Sequence, residues 1–116
     1  MSDKKILGEI GEKIAQEYLI KKNYLLVALN WRYKKAEVDI ISQLKDTLVF
    51  VEVKCRKSDF FSRPEQAINH KKEELYKLAA ENYLETNNLD HEIRFDVISI
   101  IHNNNKTEIE HFISAF

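Results

Sequence analysis

A chain of 116 residues has room for one domain with its own core, and too little for a comfortable second one, so residues 1–116 are expected to form a single domain. Hydrophobic residues make up 44% of the sequence and charged residues 32%, well interspersed, which excludes a disordered or low-complexity chain. The net charge of −1 excludes a uniformly basic nucleic-acid binder, but it is the sum of +5 over residues 1–72 and −6 over the remainder, so phosphate contacts are sought in the first part.

The first predicted element is an amphipathic helix from about Ser2 to Lys22. Ile6, Leu7, Ile10, Gly11, Ile14, Ala15, Tyr18 and Leu19 recur there at helical spacing, with Ser2 or Asp3 as N-cap. Its charges interrupt the apolar stretch that a signal peptide requires, and no later run is long enough to span a membrane, so a cytoplasmic location is expected. The lone Cys55 has no partner for an internal disulfide, which agrees with a reducing compartment.

Three extended segments follow, at Tyr24 to Asn30, Glu37 to Leu44 and Leu48 to Cys55. The last two are expected to form a hairpin around Lys45, Asp46 and Thr47. A second helix is predicted to start near Pro64 and to run to about Glu85, with Ile68, Leu75, Leu78 and Ala79 as its apolar positions. Segments Ile93 to Ile101 and Glu108 to Ala115 complete the chain. This order predicts an α/β fold in which a crossover through the second helix sets a later strand beside the hairpin, within a mixed sheet flanked by helices.

Strand parity places the candidate chemistry. In the third extended segment Leu48, Phe50, Glu52 and Lys54 share one face, and Val49, Val51, Val53 and Cys55 the other; Cys55 reads as a core residue. In the preceding strand Glu37, Asp39 and Ile41 share a face, opposite Val38, Ile40 and Ser42. Two acids and a lysine inside otherwise apolar strands need compensation, and a hairpin can bring Asp39 close to Glu52. A cation between them fits, and oxygen-only ligation favours Mg²⁺ or Mn²⁺. The chemistry is then hydrolysis of a phosphodiester, with Lys54 orienting or helping to activate water. A Glu52–Lys54 salt bridge, or acids on a solvated sheet face, meets the same pattern.

Cations flank these strands. Arg32, Lys34 and Lys35 precede the acidic one, Arg56 and Lys57 follow the motif strand, and Lys71 lies between Ile68 and Leu75 on the second helix, each a candidate phosphate contact or a solvated surface charge. Trp31, Tyr33, Phe60 and Phe61 are either base-stacking residues or core anchors. Asp96, between Phe95 and Val97, is expected to be structural and to pair with Arg94 or another cation. His70, His91, His102 and His111 show no zinc-ligand spacing with Cys55.

The segments Glu37-Val38-Asp39-Ile40-Ile41 and Val49-Phe50-Val51-Glu52-Val53-Lys54-Cys55-Arg56 resemble the GEIDLI and FVEVKxR segments of the bacterial YraN family of uncharacterised proteins. The resemblance extends through Gly8, Gly11-Glu12 and Ala15, Asn30-Trp31-Arg32, Lys71 and Arg94-Phe95-Asp96-Val97, nearly the whole chain. It implies a restriction-endonuclease-like fold with a central mixed five-stranded sheet, and a PD-(D/E)xK motif met by Asp39 and Glu52-x-Lys54. Ala36 stands where the family has glycine, and Val38 where the superfamily has proline; neither is a proposed ligand. By similarity to archaeal Holliday-junction resolvases, Glu12 joins the metal site as a ligand or water-binding acid, with Glu37 as a further accessory acid. The resemblance implies a Mg²⁺- or Mn²⁺-dependent nuclease acting on DNA, including branched or structured DNA, with a homodimer and a DNA-processing protein as candidate partners. The alternatives are a non-catalytic nucleic-acid-binding module of the same fold and a protein-interaction domain.

Overall fold

The computed structural model describes residues 3–58 and 68–116. The predicted helix start at Pro64, and Phe60 and Phe61, lie outside the described residues. The elements are α1 (Asp3–Lys21), β1 (Leu25–Tyr33), β2 (Ala36–Leu44), β3 (Thr47–Arg56), α2 (His70–Thr86), β4 (Glu92–His102) and β5 (Thr107–Phe112).

The strands form one five-stranded sheet in the order β1-β2-β3-β4-β5. Neighbours are antiparallel except β3 and β4, which run parallel from Thr47↔Glu92 to Arg56↔Ile101. The architecture is the expected mixed sheet, and the parallel pair is the place where a helical crossover is required. No described helix is long and apolar enough to cross a membrane.

Each face of the sheet carries one core. Ala15 and Leu19 of α1 pack with Tyr24, Ile40, Val49, Val51, Ile98 and Ile100, while Tyr76, Ala79 and Ala80 of α2 pack with Ala36, Val38, Ile41, Leu48 and Phe50. The alternation read from β3 is the alternation observed. In β2 it breaks: Val38 joins the core of Ile41, not that of Ile40. The cause lies in the ladder, which pairs β2 with β3 from Leu44↔Thr47 to Ile40↔Val51; beyond Ile40 the backbone of β2 is released from β3's pleat.

Two other boundaries shift. β1 continues past Asn30 to Tyr33, with left-handed backbone at Asn30 and Lys34, whose φ values are 50° and 55°. β5 stops at Phe112, because Ser114 takes a φ of 54° and turns the chain back so that the Ala115 N–H donates to the Phe95 carbonyl. Trp31 anchors β1 against α2, edge-on to Tyr83 with centroids 5.4 Å apart, so the core reading of Trp31 holds.

The approach of α1 to the sheet depends on one glycine. A Cβ at Gly11 would lie 2.4 Å from the Cβ of Cys55 on β3, whereas one at Gly8 would meet nothing within 4 Å. Gly11→Ala is therefore expected to cost about 2 kcal/mol through overpacking. Gly8→Ala is expected to stabilise by up to about 1 kcal/mol through helix propensity. Urea denaturation of the two variants checks both signs, and equal effects would contradict the close approach.

Candidate active site

Where β2 leaves β3 a pocket of about 340 Å³ opens, reached by both helices and lined by Glu12, Lys35, Glu37, Asp39, Glu52, Lys54, Lys72 and Tyr76. The splay and the pocket have one origin. In an uninterrupted antiparallel ladder the Val53 amide would bond to the β2 backbone; here the Asp39 carboxylate takes that place, accepting from the Val53 N–H at 2.8 Å. Asp39 is thus fixed beside Glu52, one residue before Val53, and the charge of Glu52 bears on its carboxyl group.

Glu52 is only 3% exposed, and both of its oxygens are engaged. The Tyr76 hydroxyl donates to Oε1 at 2.6 Å, and the Lys72 ammonium donates to Oε2. Lys54 lies 3.9 Å from Oε2 with its side chain about a third exposed, so its ammonium faces both the acid and the pocket mouth. The Tyr76 hydroxyl is itself pushed above the usual phenol range by burial and then by the neighbouring Glu52 and Asp39.

The acids crowd one another. Burial, and then the charge of Glu52, push the Asp39 carboxyl up to about 8 despite the bond from Val53. Glu12 is raised too, by burial first, with Glu37 and Glu52 adding to it and a hydrogen bond from Asn30 opposing it. A proton on Asp39 is thereby held where a cation would otherwise relieve the repulsion.

The predicted site residues separate into groups. Asp39, Glu52 and Lys54 line one pocket, Glu52 and Lys54 by the parity of β3 and Asp39 from the released part of β2. Glu12 and Glu37 line the same pocket, but among the described residues no group of three or more His, Cys, Asp and Glu side chains is arranged to hold a metal ion. Glu37 is engaged by Arg32, 2.7 Å away on the exposed rim. Lys35 reaches the pocket, while Arg56 and Lys57 line an adjoining groove that shares Lys54 and Gly8 with it. Lys71 is exposed and outside the pocket lining; its neighbour Lys72 is the lysine that turns in.

Lys72 and Tyr76 were not anticipated from sequence. They stand one helical turn apart on α2, and the N-cap that sets the start of that helix is Asn69, whose side chain accepts from the Lys72 N–H at 2.8 Å. The spacing Asn69-x-x-Lys72-x-x-x-Tyr76 is a signal for a capped helix presenting both side chains on one face. Nothing local ties that face to an acid on β3.

Asp96 is fully buried and structural, as expected, with Arg94 donating to both of its oxygens, from Nε at 2.9 Å and from Nη2 at 2.8 Å. His111 also sits on it, Nε2 to Oδ2 at 2.6 Å, a partner that only the β4–β5 pairing brings near.

The sequence matches the family model described as "Uncharacterised protein family UPF0102" over residues 11–100. A UPF0102 protein of Christiangramia forsetii is 43% identical over 116 residues, covering 100% of this chain and 98% of its own. Relatives described in the same words in Flavobacterium psychrophilum and Alkaliphilus oremlandii are each 41% identical, covering 100% and 97% of this chain and 98% of their own. With a family model across most of its length and such relatives along the whole of it, the chain belongs to the UPF0102 (YraN) family, with a restriction-endonuclease-like fold.

Proposed function

We propose that the chain is a metal-dependent nuclease that hydrolyses phosphodiester bonds, with DNA as its substrate. One observation carries the reading: Asp39 and Glu52, from two strands that part at this point, meet as carboxyl groups in a pocket rimmed by lysines. Lys72 and Lys54 offset the charge of Glu52, while the Asp39 carboxyl beside it is raised by burial and by that same charge.

The donor set fits a hard divalent cation. It offers oxygen ligands only, and Mg²⁺ commonly takes one or two carboxylates, leaving its other positions to water and substrate phosphate, so a protein-only cage of three acids is not required. Asp39 and Glu52 would hold the ion, with Glu12 and Glu37 as water-binding acids on the pocket wall. When bound, Mg²⁺ or Mn²⁺ polarises the phosphodiester and makes water a better nucleophile.

The chain's own residues do the rest. Tyr76 and Val53 fix Glu52 and Asp39 through hydrogen bonds. Lys54, on the same strand face as Glu52 and two residues on, orients the attacking water and offsets charge developing on the phosphate. Lys35, Arg56 and Lys57 border the pocket and the groove continuous with it, where they neutralise a phosphate backbone without reading bases.

A second reading, a binding module without turnover, is favoured by a separate observation: Glu52 is already neutralised by Lys72. One experiment separates the two. A labelled panel of duplex, single strand, flap, four-way junction and RNA is incubated with Mg²⁺ or Mn²⁺ and wild type, Asp39→Asn or Lys54→Ala. The nuclease reading expects metal-dependent products that fall at least about a thousandfold in the Asp39 variant, the scale of several kcal/mol supplied by a catalytic ion. Salt-sensitive binding with no cleavage by any form would establish the module, and neither binding nor cleavage would remove nucleic acid as the partner.

A further inference from the structure

We propose that Lys72 is a built-in counter-ion, which occupies Glu52 until a divalent cation displaces it and then serves as a phosphate-binding residue. The inference rests on the metal-dependent reading above and assigns to α2 a role that the strand motif does not contain.

Three observations lead to it. The first is competition: an ion shared by Asp39 and Glu52 must take up charge that Lys72 already neutralises through Oε2. Of the two donors on Glu52, Tyr76 is 1% exposed and locked in the α2 core, whereas the Lys72 side chain is about a third exposed, so the lysine is the donor that can leave.

The second is tethering. The backbone of Lys72 is pinned in the first turn of α2, because its N–H is bonded to the Asn69 cap at 2.8 Å. A released ammonium therefore swings on a fixed base and stays at the pocket, still charged. The third is placement: Lys35 and Lys54 line the same pocket, so the freed Lys72 joins them around any phosphate that enters. Ion and phosphate then help each other to bind, the ion by freeing the lysine and the phosphate by retaining it in its new position.

The test reads metal affinity, not turnover. Mn²⁺ is titrated by calorimetry into wild type, Lys72→Met, Lys72→Gln and Lys77→Met, the last removing an exposed α2 lysine paired with Glu73. Both Lys72 variants are expected to bind Mn²⁺ about tenfold more tightly than wild type, with Lys77→Met unchanged, because only they delete the competitor. Sulfate, added at constant ionic strength as a stand-in for phosphate, is expected to tighten Mn²⁺ binding about fivefold in wild type and not at all in Lys72→Met.

A thermal melt without Mn²⁺ identifies a variant that has not folded, and the other Lys72 variant then decides. Equal or weaker Mn²⁺ binding by the Lys72 variants would overturn the counter-ion role and leave the metal-dependent reading intact. A sulfate effect of the same size in wild type and Lys72→Met would overturn the phosphate role. Absence of Mn²⁺ binding in every form, wild type included, would sink this inference together with the reading beneath it.

Discussion

Asp96→Ala is expected to lower the unfolding free energy by about 3–5 kcal/mol, the usual cost of removing one partner from a buried ion pair. Asp96 has no exposed surface, yet it gathers Arg94, His111 and the Ser114 N–H, the last at 3.0 Å to Oδ1. Arg94 also donates to the Tyr24 hydroxyl at 2.7 Å, so the cluster ties β4 to β5, to the turn after it and to the segment after α1. Alanine would leave the largely buried Arg94 guanidinium and His111 imidazole without their carboxylate partner, and the melting temperature should fall by roughly 10–20 °C. The pH dependence adds a second check. Burial alone would raise the Asp96 carboxyl, but the bonds from His111, Arg94 and Ser114 outweigh it and hold the group below the ordinary carboxylate range. A depressed folded value contributes stability that is present above the unfolded value, near 4, and is lost as pH falls through the folded one. Wild type should therefore lose stability in acid more steeply than Asp96→Ala; parallel acid limbs, or a loss below about 1 kcal/mol, would contradict the role given to this cluster.

The same residues show why part of the molecule was legible in the sequence and part was not. Periodicity found α1, the hairpin and β4, because each buries one stripe or face against a core and the apolar positions record it. Glu52 and Lys54 were legible as a pair because an unbroken strand fixes side-chain direction by parity, whereas Asp39 lines the same pocket from the part of β2 that has left the ladder. Of the apolar positions read for α2, Leu75 and Ala79 do pack on the sheet, but Leu78 is 51% exposed and Ile68 precedes the helix, while Tyr76 and Ala80 complete the buried face. Alanines let the helix approach the sheet closely, and the inward lysine became Lys72 instead of Lys71. The break in β2 was hidden for a different reason. Parity assumes an unbroken ladder, and the carboxylate of Asp39 replacing a backbone partner of Val53 is a tertiary event that no local pattern records.

Asp39→Asn is expected to raise the stability of the metal-free protein while removing its response to Mg²⁺. Because burial and Glu52 raise the Asp39 carboxyl to about 8, the folded protein keeps a proton that the unfolded chain releases near 4. Stability then falls as pH rises between these values, and the full deficit stands above the folded one. Asparagine resembles the protonated acid: it can still accept from the Val53 N–H and donate to Glu52, but it carries no charge at any pH. The variant and wild type should match near pH 4 and diverge as pH rises, reaching about 2 kcal/mol in favour of asparagine at pH 8, or roughly 5–10 °C in melting temperature. Mg²⁺ or Mn²⁺ should close that gap at pH 8 by stabilising wild type alone, and should do so progressively less at lower pH, where the ion must first displace the proton. Thermal melts across pH 4–8, with and without Mg²⁺, read both effects. A wild type more stable than Asp39→Asn at pH 8 without metal would mean that the two carboxyl groups do not repel, and with that the physical case for a cation between Asp39 and Glu52 would be lost.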